Sequence, residues 1–425
     1  MESSNVISDI FAASGELGEA HGHEAPRARL RALVTATQQP ATCQRRCSLS
    51  GGYHGGALAD VRRLAYALMF SVVHDCALVT NWPWHRRTSN FSSTLTTSAD
   101  LRQRCYADNR LGLSCYFLPY SSCQILDKEV ERTLPAARIF GLDSVNLDST
   151  LDVLINRTGL RSETLIMGTL TSWIMRPQPE LRAAIEQYGA AAGFATKGAR
   201  HRRVAMHIRH GDKHSLYGRH LRNESWRVSA DAFDAWGRRI SADLGADNVV
   251  YMTDDPRVMD RLQRRAADDG LFRLVPAPRD CMPSYAMGLL GKHGTPIAGS
   301  LQALQRKPTV VARFAASASA ACGPRYLVDD GIQLFAGVYL LAQCTAFIGT
   351  QISNLDAATV ELMSTLRHPP TVYDVLNDVH RTCLSDEKVW WGGVHTNRRP
   401  LSSERMATGS GATTLGNNCK GYTRR

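Results

Sequence analysis

The stretch Arg203-Val-Ala-Met-His-Ile-Arg-His-Gly-Asp-Lys213 changes character midway. Arg203 to Arg209 is mostly apolar and short, bounded by polar residues, which predicts a buried strand. The residues that follow it are His, Gly, Asp and Lys, so several potential cations gather at one strand end. Downstream, Phe233, Trp236, Ile240 and Leu244 recur at helical spacing. Asn248–Thr253 and Phe272–Val275 are further short apolar runs, Ile332–Cys344 an apolar helix, and Ala346–Gly349 a fourth strand. Ser353–Leu366 then predicts a helix with Leu355, Ala358, Thr359, Leu362 and Leu366 inward. Strand and helix alternating through short connections predict an α/β fold with a parallel, doubly wound sheet.

Upstream the signal is sparser. Ala57–Val73 predicts a helix, since Leu58, Val61, Leu64, Ala65, Leu68, Met69 and Val72 share one face, and Cys76–Thr80 a short strand. Gly51, Gly52, Gly55 and Gly56 form a flexible loop before that helix. Residues 1–40 read as a loose tail, 396–425 as a flexible end, and Ala315–Gly323 as an exposed low-complexity insertion.

The chain has 425 residues, 44% apolar and 21% charged, which suits a globular protein of about two or three domains. Fifty Lys and Arg against 39 Asp and Glu leave a formal charge of +11, which favours an anionic partner. Nucleic acid is not the partner expected. The basic residues are spread, the densest cluster (Lys197 to Arg203) is short, and no zinc-finger spacing or aromatic RNA-binding signature occurs. Leu64–Val73 and Leu334–Gly349 are too short or too punctuated to span a bilayer, which takes about 20 residues. Met1 to His23 reads as neither signal peptide nor anchor.

Eleven cysteines are many for a cytosolic enzyme. Cys43/Cys47 and Cys115/Cys123 form close groups, but the two Cys-x-x-Cys knuckles of a zinc ribbon are missing, so disulfides are expected with open connectivity. An odd total leaves at least one thiol free. Asn90, Asn156 and Asn223 begin glycosylation sequons, which also fits a secretory route. No His, Cys and Asp set has metal-ligand spacing, and His21, His23 and Glu24 lie in the expected tail.

Ligands of parallel sheets bind at the carboxyl ends of strands. Three such ends carry candidate residues. In the first, Arg209 can grip phosphate oxygens bidentately and Lys213 supplies a point charge, with His207, His210 and Asp212 around them. His207 reads equally as a satisfied core histidine. In the second, Asp254 and Asp255 follow Thr253; either can hold a sugar hydroxyl, and Asp255 can instead cap a helix starting at Pro256. In the third, Thr350, Ser353 and Asn354 lead into a helix. Ser353 with Asp356 resembles a capping box, and a helix start also binds phosphate. P-loop and Gly-x-Gly-x-x-Gly fingerprints are missing, which removes P-loop NTPases and ordinary dehydrogenases.

These three stretches resemble the α-1,6-fucosyltransferases, the core N-glycan and Nod-factor enzymes. His207–Lys213 is similar to their His-Val-Arg-Arg-x-Asp-Lys motif, and Thr253–Pro256 to their Thr-Asp-Asp-Pro. Leu340 to Met363, with Ser353-Asn354 and Glu361-Leu362-Met363, is similar to their helix, strand and Ser-Gln helix. More weakly, Cys43, Cys47, the glycine loop and Asn81-Trp82-Pro83-Trp84 resemble the family's first half.

The resemblance implies a GT-B fold: two Rossmann-like domains with parallel sheets facing a cleft, 41–195 on the acceptor side and 196–395 on the nucleotide-sugar side. It implies metal-independent transfer of fucose from GDP-fucose to an N-acetylglucosamine-containing glycan in the Golgi lumen. His207 would lie near the guanine, Arg209 would bind the β-phosphate, Ser353 and Asn354 would contact the diphosphate, and Lys213 would organise the acceptor. The chain departs from the family in four places. His210 stands for the second Arg; Tyr217 stands for the general-base Glu, leaving Glu224 as the nearest replacement; Gly337 stands for an Asp of the nucleotide pocket; Gly349 and Asp356 stand for a cysteine pair. The missing Glu and Gly337 keep open a catalytically silent nucleotide-sugar or glycan-binding protein, and protein O-fucosyltransferases, which share the fold and a similar Arg motif, are a second alternative.

Overall fold

The computed structural model describes residues 23–50, 57–79, 112–123, 138–141, 147–194, 202–208, 230–253, 258, 261–262, 264–265, 270–274, 330–349, 353–366, 370–374 and 380–383. It is a mixed α/β protein with two sheets built on parallel pairings. In the first half, β1 (Arg46–Ser50) lies between β2 (Ala77–Leu78) and β3 (Arg138–Gly141), parallel to both. Around it run α1 (Glu24–Gln38), α2 (Ala57–Val73), α3 (Leu147–Thr158), α4 (Glu163–Ile174) and α5 (Pro179–Ala191).

The second sheet has six strands: β4 (Arg203–Ile208), β5 (Asn248–Thr253), β6 (Phe272–Leu274), β7 (Ala346–Gly349), β8 (Thr371–Asp374) and β9 (His380–Cys383). Their order is β6-β5-β4-β7-β8-β9. The chain steps outward from β4 through β5 to β6, then returns to lay β7 on the other side of β4. The order therefore reverses between β4 and β7, and it is outside such a reversal that open α/β sheets take their ligands. The last strand departs from the all-parallel expectation, since β9 is antiparallel to β8. Only residues 375–379 join them, too few for the dozen or more of a parallel crossover.

Alternation along the strands decides both faces. Val204, Met206, Ile208, Val249, Tyr251, Ala346 and Ile348 pack with Phe233 and Ile240 of α6 (Ala230–Leu244). The opposite face (Ala205, Val250, Met252, Phe347 and Val372) joins a larger core. There α7 (Asp330–Ala342) packs between the sheet and α5, and α8 (Asn354–Leu366) packs on α7, α4 and α2. From Leu355 to Thr365 every residue of α8 is buried. A helix covered all round gains about 1.5–3 kcal/mol for each large apolar side chain it buries, but its polar side chains must find partners inside the protein.

Residues 24–38 correct the expectation of a loose tail, because α1 is a helix whose Leu30, Val34 and Gln38 are buried. Those three positions recur every four residues, a narrow stripe on an otherwise arginine-rich helix. Gln38 is part of the framework: its amide donates to Ser71 Oγ at 3.0 Å and its oxygen accepts from the Leu78 amide at 2.9 Å. One bridge, Cys43–Cys123, joins the two expected cysteine groups, while Cys47 pairs with Cys76, which lies outside both; the sequence separations are 80 and 29. Chain entropy puts each at about 3–5 kcal/mol. Cys115 is also disulfide-bonded, and Cys344 is buried, its Sγ donating to the Leu340 carbonyl at 3.6 Å. Among the described residues no helix is long and apolar enough to cross a membrane. The glycine loop at 51–56, the Ala315–Gly323 insertion and the 396–425 end lie outside the described residues.

Candidate functional site at the β4–β7 reversal

His207 is the next-to-last residue of β4, on the same face as Ala205, and only 4% exposed. Beyond the end of β7 the chain reaches Ser353, which begins α8. Ser353 Oγ accepts from the Asp356 backbone N–H at 3.4 Å, the N-cap bond that the sequence predicts. The Asp356 side chain, fully buried, pairs with Nδ1 of His207. The carboxylate in the reciprocal position of the capping box is thus the one that fixes the histidine. A carboxylate suits the first turn of a helix, where the backbone dipole presents its positive end. Because the carboxylate accepts, Nδ1 carries the proton, and Nε2 is the ring nitrogen left for other work.

Gly349 makes this pairing fit. A β-carbon there would stand 2.7 Å from Asp356 Oδ2 and 2.3 Å from the Phe347 ring. Any side chain would drive the carboxylate away from the strand end. The two positions where the resemblance places a cysteine pair are therefore neighbours in space, joined here by close packing of a glycine against an aspartate.

A second polar group holds the same helix from behind. Arg62 of α2 is completely buried, and its Nε donates to Glu361 Oε1 at 3.0 Å. Its Nη1 donates to Asn354 Oδ1 at 3.2 Å and its Nη2 to Tyr66 Oη at 3.4 Å. The second oxygen of Glu361 accepts from Thr171 Oγ1 of α4 at 2.7 Å. Burial by itself lowers the pKa of Arg62, but the Glu361 carboxylate, with Tyr66 and the hydrogen bond, more than reverses this and raises it. The guanidinium is therefore permanently charged. Asn354 and Glu361 lie seven residues apart, two turns on one face of α8, so one arginine grips both the start and the middle of the helix.

Of the sequence-predicted residues, the structure ties His207 of β4, through Asp356, to the start of α8, where Ser353 and Asn354 lie. It assigns each a structural bond as well: His207 is paired with Asp356, Ser353 caps the helix, and Asn354 accepts from Arg62. Arg209, His210, Asp212, Lys213, Tyr217, Glu224, Asp254, Asp255 and Thr350 lie outside the described residues. Arg209, Asp254 and Thr350 follow in sequence the last residues of β4, β5 and β7, three neighbouring strands whose register sets Ile208 opposite Thr253 and Met206 opposite Ile348. Sequence reasoning missed Arg62 and Thr171 altogether. The signal for Arg62 was its place on the Leu58–Ala65–Met69 face of α2, where a charge needs a buried partner. Among the described residues no group of three or more His, Cys, Asp or Glu side chains gathers to hold a metal ion.

Fold and site together define a mixed α/β protein with a doubly wound sheet and a polar helix start at its reversal point. Among solved structures, that of an Arabidopsis thaliana FUT1 mutant in complex with GDP is similar, with a TM-score of 0.40 and 9% identity, over 87% of this chain and 78% of that one. No protein-family model matches the chain, and no curated protein matches it.

Proposed function

We propose that the protein is an inverting glycosyltransferase that moves fucose from GDP-fucose to an N-acetylglucosamine-containing glycan in the secretory pathway. In this reading the halves 41–195 and 196–395 face each other across a cleft. The observation that supports it is the meeting of two separately recognised motif stretches, 149 residues apart, through His207 and Asp356 at the sheet's reversal point. The disulfides support the compartment.

The chemistry follows from the residue types. The acceptor hydroxyl attacks the anomeric carbon from the face opposite the diphosphate, and the bond to the β-phosphate oxygen breaks. Glu224 takes the hydroxyl proton. Arg209 and the α8 start, with Ser353 and Asn354, receive the negative charge that builds on GDP, and Lys213 orients the acceptor. Fixed cations and dipoles aimed at that charge supply most of the acceleration. Asp212, Asp254, Asp255, His210 and Thr350 complete the polar lining. Tyr217 in place of the family's base favours a second reading, a nucleotide-sugar binder without turnover.

Calorimetric titration with GDP and a transfer assay read by GDP release test the assignment. Wild-type protein is expected to bind GDP and to turn over GDP-fucose. Arg209→Ala is expected to reduce transfer about 10²–10³-fold and Glu224→Gln about 10²–10⁴-fold. Binding without turnover establishes the silent reading, and no binding of GDP removes both.

A further inference from the structure

The sequon Asn156-Arg157-Thr158 closes α3 and takes no part in the site described above. The other two sequons, at Asn90 and Asn223, lie outside the described residues. Asn156 is exposed on the last turn of the helix. Val153, one turn earlier on the same face, is 39% exposed, the one exposed large hydrophobic side chain among the described residues. The disulfides Cys43–Cys123 and Cys47–Cys76 belong to an oxidising compartment, which in eukaryotic cells is also where asparagine-linked sugars are attached. Sequon, solvent exposure, an uncovered apolar neighbour and compartment coincide at this one turn.

We infer that Asn156 carries an asparagine-linked oligosaccharide whose first sugar lies over Val153. The donor class is a lipid-diphosphate-linked oligosaccharide. The side-chain amide nitrogen of Asn156 bonds to the anomeric carbon, the carbon–oxygen bond to the diphosphate breaks, the amide gives up one proton to a base, and the lipid diphosphate departs. No oxidant or reductant enters.

The fold also fixes when this happens. Thr158, whose hydroxyl the sequon requires, is 1% exposed. Its Oγ1 donates to the Leu154 carbonyl at 2.7 Å and accepts from the Leu160 amide at 3.1 Å. Its carbonyl accepts from Arg29 Nε of α1 at 2.7 Å. In the folded protein the hydroxyl is therefore sealed beneath α1, while the asparagine stays outside. Attachment precedes the docking of α1 on α3, and the finished glycan is then tolerated because it projects into solvent.

The test is peptide mapping of the full chain isolated from its own cells or secreted by a eukaryotic host. Enzymatic deglycosylation that leaves aspartate at a formerly modified asparagine is followed by mass spectrometry. Conversion at position 156 is expected in wild type and in Thr158→Ser. Asn156→Gln is expected to lose this modification and keep the wild-type melting temperature. An unconverted Asn156 in the secreted wild-type protein overturns the inference. In a second arm, unglycosylated chain is offered to an oligosaccharyltransferase, once folded and once reduced and unfolded. Only the unfolded chain is expected to be modified at Asn156; equal modification of both overturns the order of events.

Discussion

Replacing Arg62 by methionine is expected to lower the stability of the protein by about 3–5 kcal/mol, the usual cost of stranding one partner of a buried ion pair. Glu361 would keep its hydrogen bond from Thr171 but lose its counter-charge, while remaining 3% exposed. Asn354 would lose the guanidinium that its oxygen accepts from. The double variant Arg62→Met/Glu361→Leu removes both charges and is expected to recover most of that loss, because well-packed apolar side chains replace buried ion pairs at little cost. Urea unfolding followed by circular dichroism reads both. A single variant as stable as wild type would show that the two side chains are not a dry pair.

Gly168→Val is the second change with a large expected effect. Gly168 lies in the middle of α4, where α8 crosses it. Even a β-carbon there would stand 2.2 Å from the Glu361 carbonyl oxygen and 2.4 Å from Ser364 Oγ. Backbone cannot rotate away as a side chain can, so the helices must part. Parting them stretches the Thr171–Glu361 bond of 2.7 Å and the bond from Ser364 Oγ to the Thr164 carbonyl at 3.2 Å. Overpacking alone costs about 1–3 kcal/mol, and each buried group left without its partner about 1–3 kcal/mol more. Gly189→Ala on α5 is the comparison, since its β-carbon would meet the end of a flexible leucine side chain at 3.2 Å. The denaturation midpoint is expected to fall steeply for Gly168→Val and slightly for Gly189→Ala. Equal shifts would remove the close crossing as the cause.

The second sheet was legible because its strands are short apolar runs with abrupt polar ends. Asn248–Thr253 and Ala346–Gly349 fall where the sequence predicts them, and so does β4 over Arg203–Ile208, its expected last residue, Arg209, lying outside the described residues. The helix Ala57–Val73 was legible for the same reason, its apolar face being wide and uninterrupted. Other elements were not. In α1 three buried residues are set among arginines, and in α4 the apolar residues surround the helix, so no single face stands out. The antiparallel turn to β9 is a matter of connection length and not of strand composition. At the site, His207, Ser353, Asn354 and Asp356 were each visible locally. Their association was not, because the bond from His207 to Asp356 spans 149 residues and depends on strand order. Arg62 was hidden inside an apolar pattern, and its partner Glu361 lies 299 residues away.

That long ion pair has a mechanical meaning. A hinge needs a seam along which two bodies slide, and α8 offers none: α7 presses on one flank, α2 and α4 on another, and a salt link with two hydrogen bonds pins it in between. Helix α8 is therefore held rigidly, and heating is expected to melt the first-half helices and the six-stranded sheet in one calorimetric peak.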